Sequence, residues 1–122
     1  MTNQAKTQAL FNQTQTYAKH VHGKMDKIGD NTHEKAAFVY TSQAADELRV
    51  AANAITEETR IEFVRRAIMR FNSAMRYLPD ATVAKHLRKE AKQLIGEDIE
   101  QPDPPKASKR DIEKASAKSL GF

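Results

Sequence analysis

The chain has 122 residues, no cysteine and a formal charge of +4 from 20 basic and 16 acidic residues. This length suits one domain with a modest core, and the lack of cysteine excludes disulfides, thiolate chemistry, a zinc ribbon and an iron–sulfur cluster. No apolar run approaches the roughly 20 residues that span a membrane, and residues 1–10 lack the plan of a signal peptide. We therefore expect a soluble, cytoplasmic protein without a targeting segment.

Apolar residues recur at steps of three and four, which is the spacing of one helix face, in four successive segments. The expected helices run from about Asn3 to Ile28, Thr32 to Ile55, Thr56 to Leu78 and Ala81 to Ile95. Their inward stripes are Phe11, Thr14, Ala18, Val21, Met25 and Ile28; Ala37, Thr41, Ala44, Leu48, Ala51 and Ile55; Ile61, Val64, Ile68, Phe71, Met75 and Leu78; and Ala84, Leu87, Ala91 and Leu94.

Several helix ends carry residues that suit them. Thr56 and Asp80 are expected to cap the third and fourth helices, because their side-chain oxygens can accept from free backbone N–H groups. Pro79 is expected to stop the third helix, and Gly96 to end the fourth.

The composition changes after the fourth helix. Residues 97–108 are acidic and contain Pro102, Pro104 and Pro105, which predicts a semi-rigid linker. Residues 109–122 predict a short helical arm whose apolar side is too small to fold alone. The sequence thus predicts an all-α, four-helix bundle-like single domain over residues 1–96, followed by this linker and an arm that docks on the bundle or on a partner.

Part of the third helix resembles a repeat helix. Ala67, Phe71, Ala74 and Pro79 fall at the spacing of the second helix of a tetratricopeptide repeat, which this stretch resembles. The resemblance occurs once, whereas such repeats stack in several copies. A helix of small residues packing on its neighbour explains the same residues.

The fourth helix has a resemblance of its own. Thr82, Val83, His86 and Leu87 make it similar to the recognition helix of some helix-turn-helix DNA-binding domains. Both resemblances use Pro79 and its neighbours, so at most one of them applies.

No residue pattern indicates catalysis or a metal site. His20 and His22 diverge on a helix, whereas zinc-binding pairs lie at i and i+4. The adjacent acids Asp46 and Glu47 do not face each other, and the 4 glycines are too scattered for a phosphate loop. We expect no enzyme, no metal and no cofactor.

Basic residues concentrate between Arg60 and Lys92. Arginines interleaved with aromatic residues suit phosphate contact with base stacking, and they equally suit a protein hot spot. A third alternative is a second core contact through Phe63, Met69 and Tyr77. The predicted partner-binding or nucleic-acid-binding residues are Phe63, Arg66, Arg70, Arg76, Tyr77, Lys85, Arg88, Lys89 and Lys92.

Two functions follow from these patterns. The first is a non-catalytic interaction protein, a small helical adaptor or subunit of a larger assembly that binds a protein partner through its bundle and arm. The alternative is a nucleic-acid-binding accessory protein that uses the basic face of the third and fourth helices. We expect no membrane partner, and the heptad-like steps of the first and third helices are compatible with a homo-oligomer.

Overall fold

The computed structural model describes residues 2–28, 32–78, 80–97 and 102–106, with side chains described outside 22–34. Within these residues lie the helices α1 (Asn3–Ile28), α2 (Thr32–Ala52), α3 (Glu57–Met75) and α4 (Thr82–Leu94). The described residues contain no strand. The predicted all-α bundle is therefore confirmed over this part of the chain, in which no helix is long and apolar enough to cross a membrane.

The helices form a ring of neighbours. α1 and α3 each pack against both α2 and α4, and the two diagonal pairs make no contact within the described residues. The short connections between successive helices make neighbours antiparallel. The arrangement is an up-down-up-down four-helix bundle.

Small side chains on α2 let its neighbours approach closely. Its buried alanines are Ala36, Ala37, Ala44, Ala45, Ala51 and Ala52. Larger residues fill the centre around them, with Phe71 and Leu48 fully buried in one cluster and Met75 in a second. Most residues of the predicted stripes are buried or half-buried, while the side chains of Met25 and Ile28 lie outside the described residues.

The predicted end of the second helix is wrong. α2 ends at Ala52, and the predicted core residue Ile55 is 99% exposed in the connection that follows. The Asn53 side chain donates to the carbonyl of Arg49 at 2.9 Å. An asparagine side chain that bonds to the preceding turn competes with continuation of the helix, in keeping with the end of α2 just before Asn53.

The Thr56 cap is confirmed, since its hydroxyl accepts from the backbone N–H of Thr59 at 3.2 Å. α3 ends at Met75, three residues before the prediction. The N–H of Leu78 still donates to the carbonyl of Ala74 at 3.1 Å, so Leu78 remains in the core. Pro79, the predicted stop, lies outside the described residues.

The α4 boundaries differ from the prediction by one residue at each end. Asp80 accepts from the N–H of Thr82 at 3.0 Å, but the cap position itself is Ala81, whose side chain makes no cap bond. At the other end the prediction that Gly96 ends the helix is confirmed, since α4 stops at Leu94. Gly96 itself has φ 70°. The N–H groups of Gly96 and Glu97 donate to the carbonyls of Gln93 and Lys92 at 3.3 and 3.0 Å, respectively, which is a Schellman ending.

Residues 102–106 have no regular secondary structure and contact the bundle at the end of α3 and along α4. The remainder of the predicted linker, residues 98–101 and 107–108, and the predicted arm, residues 109–122, lie outside the described residues.

We predict that Gly96→Ala lowers the free energy of unfolding by about 1 kcal/mol, because φ 70° strains a residue with a β-carbon. Steric conflict is not the cause, since an added Cβ meets nothing within 4 Å. Gly96→Asn is the matched control and should cost less, because asparagine tolerates this conformation. Urea unfolding measures both variants; an unchanged midpoint for Gly96→Ala would contradict the Schellman ending.

Candidate functional site

The nine predicted binding residues have three kinds of surroundings. Some lie on the exposed side of α3, some contact residues 102–106, and the others are described separately below. In that order the groups are Phe63, Arg66 and Arg70; Arg76, Lys85 and Arg88; and Tyr77, Lys89 and Lys92.

The outer face of α3 is defined here by Phe63, Arg66, Met69 and Arg70. The guanidinium of Arg66 lies 4.5 Å from the centroid of the Phe63 ring, within the range of a cation–π contact. The same guanidinium is 2.8 Å from a carboxylate oxygen of Glu62. Phe63 is half-buried and packs against the core beneath it. This corner therefore carries an ordered, charge-compensated arginine on an aromatic ring.

Met69 and Arg70 complete the outer face. Met69 is 67% exposed, which is unusual for so large an apolar side chain on a helix of this bundle. Nη2 of Arg70 lies 3.9 Å from Oε1 of Glu47 on α2. The other carboxylate oxygen of Glu47 and the amide oxygen of Gln43 are buried and lack a hydrogen-bond partner among the described residues. Glu47 thus connects α2 to the Arg70 end of the outer face.

Asp103 contacts two cations of α4. Its carboxylate oxygens lie 3.5 Å from Nζ of Lys85 and 3.4 Å from Nη2 of Arg88. Arg88 is only 4% exposed, and its Nη1 donates to Oδ1 of Asn72 on α3 at 2.7 Å. A single guanidinium therefore joins α3, α4 and residues 102–106.

Lys106 contacts the end of α3. Its ammonium donates to the carbonyls of Met75 and Leu78 at 3.1 and 2.7 Å. Carbonyls at a helix C-terminus lack intrahelical partners and favour a nearby cation. Nε of Arg76 donates in turn to the carbonyl of Pro105 at 3.1 Å. Residues 102–106 are thus held at both ends and through their backbone.

The third group of predicted binding residues consists of Tyr77, Lys89 and Lys92, two of which are buried. Tyr77 is 6% exposed and stacks on Tyr40, with ring centroids 5.7 Å apart and 22° between the ring planes. The alternative of a second core contact is therefore confirmed for Tyr77, holds in part for the half-buried Phe63, and is wrong for Met69. Lys92 is buried as well, whereas Lys89 is exposed.

Sequence reasoning missed the buried role of Arg60. This residue is 5% exposed; its Nη1 donates to the carbonyl of Leu94 at 3.2 Å, and its Nε pairs with Glu57. The hydrogen bond from Arg60 holds the pKa of the Glu57 carboxyl below its ordinary value. The sequence did contain a signal for this burial, because Arg60 continues the buried α3 stripe four residues before Val64.

No group of three or more His, Cys, Asp or Glu side chains among the described residues is placed to hold a metal ion. Comparisons of the chain with protein-family models, curated proteins and solved structures found no match.

We predict that Glu57→Gln lowers the free energy of unfolding at neutral pH and that the difference disappears in acid. A carboxyl with a lowered folded-state pKa stabilises the protein above its unfolded-state pKa. That stabilisation is lost as the pH falls from about 4.5 through the folded-state value. Urea unfolding at several pH values measures the difference.

The matched control for this prediction is Glu58→Gln, which removes a charge from the same first turn of α3. Both variants lose a favourable interaction with the helix dipole, but only Glu57 pairs with Arg60. Equal pH dependence in the two variants would contradict the assignment to that pair.

Proposed function

We propose that this protein is a non-catalytic interaction protein, a small helical adaptor or subunit of a larger assembly, that binds its protein partner through the outer face of α3. The observation that carries the proposal is Met69, 67% exposed between Arg66 and Arg70. Methionine, arginine and aromatic residues are enriched in protein interfaces. Arg66 is already ordered on Phe63, so binding would immobilise little more of its side chain.

Charge compensation favours a protein partner over nucleic acid. Arg66 is paired with Glu62 at 2.8 Å, and Arg65 with Glu97 at 2.9 Å. Lys85 and Arg88 face Asp103. A nucleic-acid phosphate would have to displace these acids, although phosphate neutralisation is the main source of affinity for nucleic acid. A surface of mixed charge around an exposed apolar residue suits a polypeptide.

The nucleic-acid alternative depends on cations that pair with no acid among the described residues. Lys89 is exposed on α4, and it lies one helical turn from Lys85. An accessory protein of this kind would lose affinity steeply as salt is added, because bound phosphates release counterions. This alternative therefore has a signature that the interaction proposal lacks.

The same proposal includes the features that lie outside the described residues. The short helix predicted for residues 109–122 would supply a second contact with the partner. A cytoplasmic location is part of the proposal too, and a chain without cysteine suits such a reducing compartment.

We predict that Met69→Glu reduces capture of the partner at least about tenfold, the loss expected for one central interface residue. The measurement is quantitative affinity capture from a nuclease-treated lysate of the native source. Ile55→Glu is the matched control, because it places the same charge on an apolar residue that is 99% exposed but far from α3's outer face. Circular dichroism checks that both variants keep their helices.

Equal capture by Met69→Glu and the native chain would overturn the assignment of the outer face. Three results together would overturn the protein-partner proposal in favour of the alternative. Nuclease treatment would abolish capture, the protein would bind DNA or RNA with an affinity that falls steeply with salt, and Lys89→Glu would remove that binding.

A further inference from the structure

The surface beneath residues 102–106 is distinct from the outer face of α3. We propose that this surface is a binding site for a peptide segment of another protein in which an acid, two prolines and a base follow one another, and that the chain's own Asp103–Lys106 segment is its displaceable occupant. The inference goes beyond the proposed function, because it adds a second site and states the chemistry of the ligand.

The acid-binding half of the site is built before any ligand arrives. Arg88 is buried, and its guanidinium is fixed by the 2.7 Å bond to Asn72. Nη2 of the same group is directed at the carboxylate of Asp103, and Lys85 adds a second cation from the next turn of α4. A carboxylate entering between these cations finds a donor whose position is already set.

The base-binding half lies at the end of α3. The carbonyls of Met75 and Leu78 both accept from the ammonium of Lys106, and the helix dipole places partial negative charge there. The site is therefore bipolar: it recognises an anion at one position and a cation three positions later. Nucleic acid offers phosphates and no such cation, so this half identifies a polypeptide ligand.

The spacer between the two charges also fits. Proline fixes φ near −65° and favours an extended chain that loses little entropy on binding. Pro104 is half-buried against the bundle, whereas Pro105 is exposed but supplies the carbonyl that accepts from Arg76 at 3.1 Å. Extended proline-containing segments are a recurring type of peptide ligand.

The acid end of the chain's own segment is held weakly, whereas its base end is held by the Lys106 bonds of 2.7 and 3.1 Å. Its Asp103 contacts of 3.4 and 3.5 Å are longer than the roughly 2.7–2.9 Å of strong charge-assisted hydrogen bonds. The side chain of Asp103 is 55% exposed, and exposed ion pairs contribute little to stability. The segment occupies the site because it is tethered beside it, which gives it an effective concentration on the order of millimolar.

The test uses a fluorescently labelled peptide with the sequence of residues 97–106. The receptor is the full chain with Asp103→Lys and Lys106→Glu, in which the occupant's charges are reversed and the site is vacated. We predict saturable binding by fluorescence anisotropy, and an apparent Kd at least about tenfold weaker for the native chain, because its own segment competes. Lys85→Glu in the vacated receptor should weaken binding.

The matched control peptide exchanges the positions of Asp103 and Lys106, which keeps its composition and net charge. It should not bind, because the acid would face the α3 carbonyls and the base would face Arg88. Equal binding of the two peptides, or no binding to a vacated receptor whose helical signal is intact, would overturn the proposal. Displacement of the peptide by a short oligonucleotide at lower concentration than by unlabelled peptide would also overturn it, since that result identifies a general anion site.

Met69→Glu should leave peptide binding unchanged. A failure of the peptide-binding proposal is therefore separable from a failure of the proposed function.

Discussion

The buried guanidinium of Arg88 is the group on which the α3–α4 surface depends. A cation that is 4% exposed is costly unless its donors are paired. Asn72 of α3 satisfies one nitrogen at 2.7 Å, and Asp103 lies 3.4 Å from another. The first contact holds α3 against α4, and the second holds residues 102–106 against both. Any partner that removes Asp103 has to offer an acid in its place, which is why the proposed peptide ligand begins with one.

The basic bias of the chain is partly structural. Arg60 donates to the carbonyl of Leu94 at the end of α4, and Lys106 donates to the carbonyls of Met75 and Leu78 beyond the end of α3. In each case a cation satisfies carbonyls that a helix end leaves free. Part of the positive charge that a count of residues assigns to a nucleic-acid surface is therefore used within the bundle.

The bundle could be predicted from the sequence because the period of its apolar residues is local information. The α2 boundary could not, since the apolar period continues to Ile55 although the helix ends at Ala52 and Ile55 is exposed. Arg60 and Arg88 occupy positions that continue apolar stripes, but a cation in a stripe is ordinarily assigned to the surface. Their burial becomes clear only when a partner from another helix is in place. The contacts of residues 102–106 are likewise long-range and follow from no local period. On the outer face of α3, the sequence grouped Phe63, Arg66 and Arg70 by their spacing, and a core contact for Met69 was one of three alternatives. The exposure of Met69 does not follow from that spacing.

The central claim is that Arg88 and Asp103 interact directly and so anchor residues 102–106 on the bundle. A double-mutant cycle with Arg88→Met and Asp103→Asn, measured by urea unfolding, tests it most directly. We predict a favourable coupling free energy of about 0.5–1 kcal/mol, the range for a partly exposed ion pair. The parallel cycle of Lys89→Met with Asp103→Asn should give a coupling close to zero. Equal couplings in the two cycles, or none in the first, would contradict the claim.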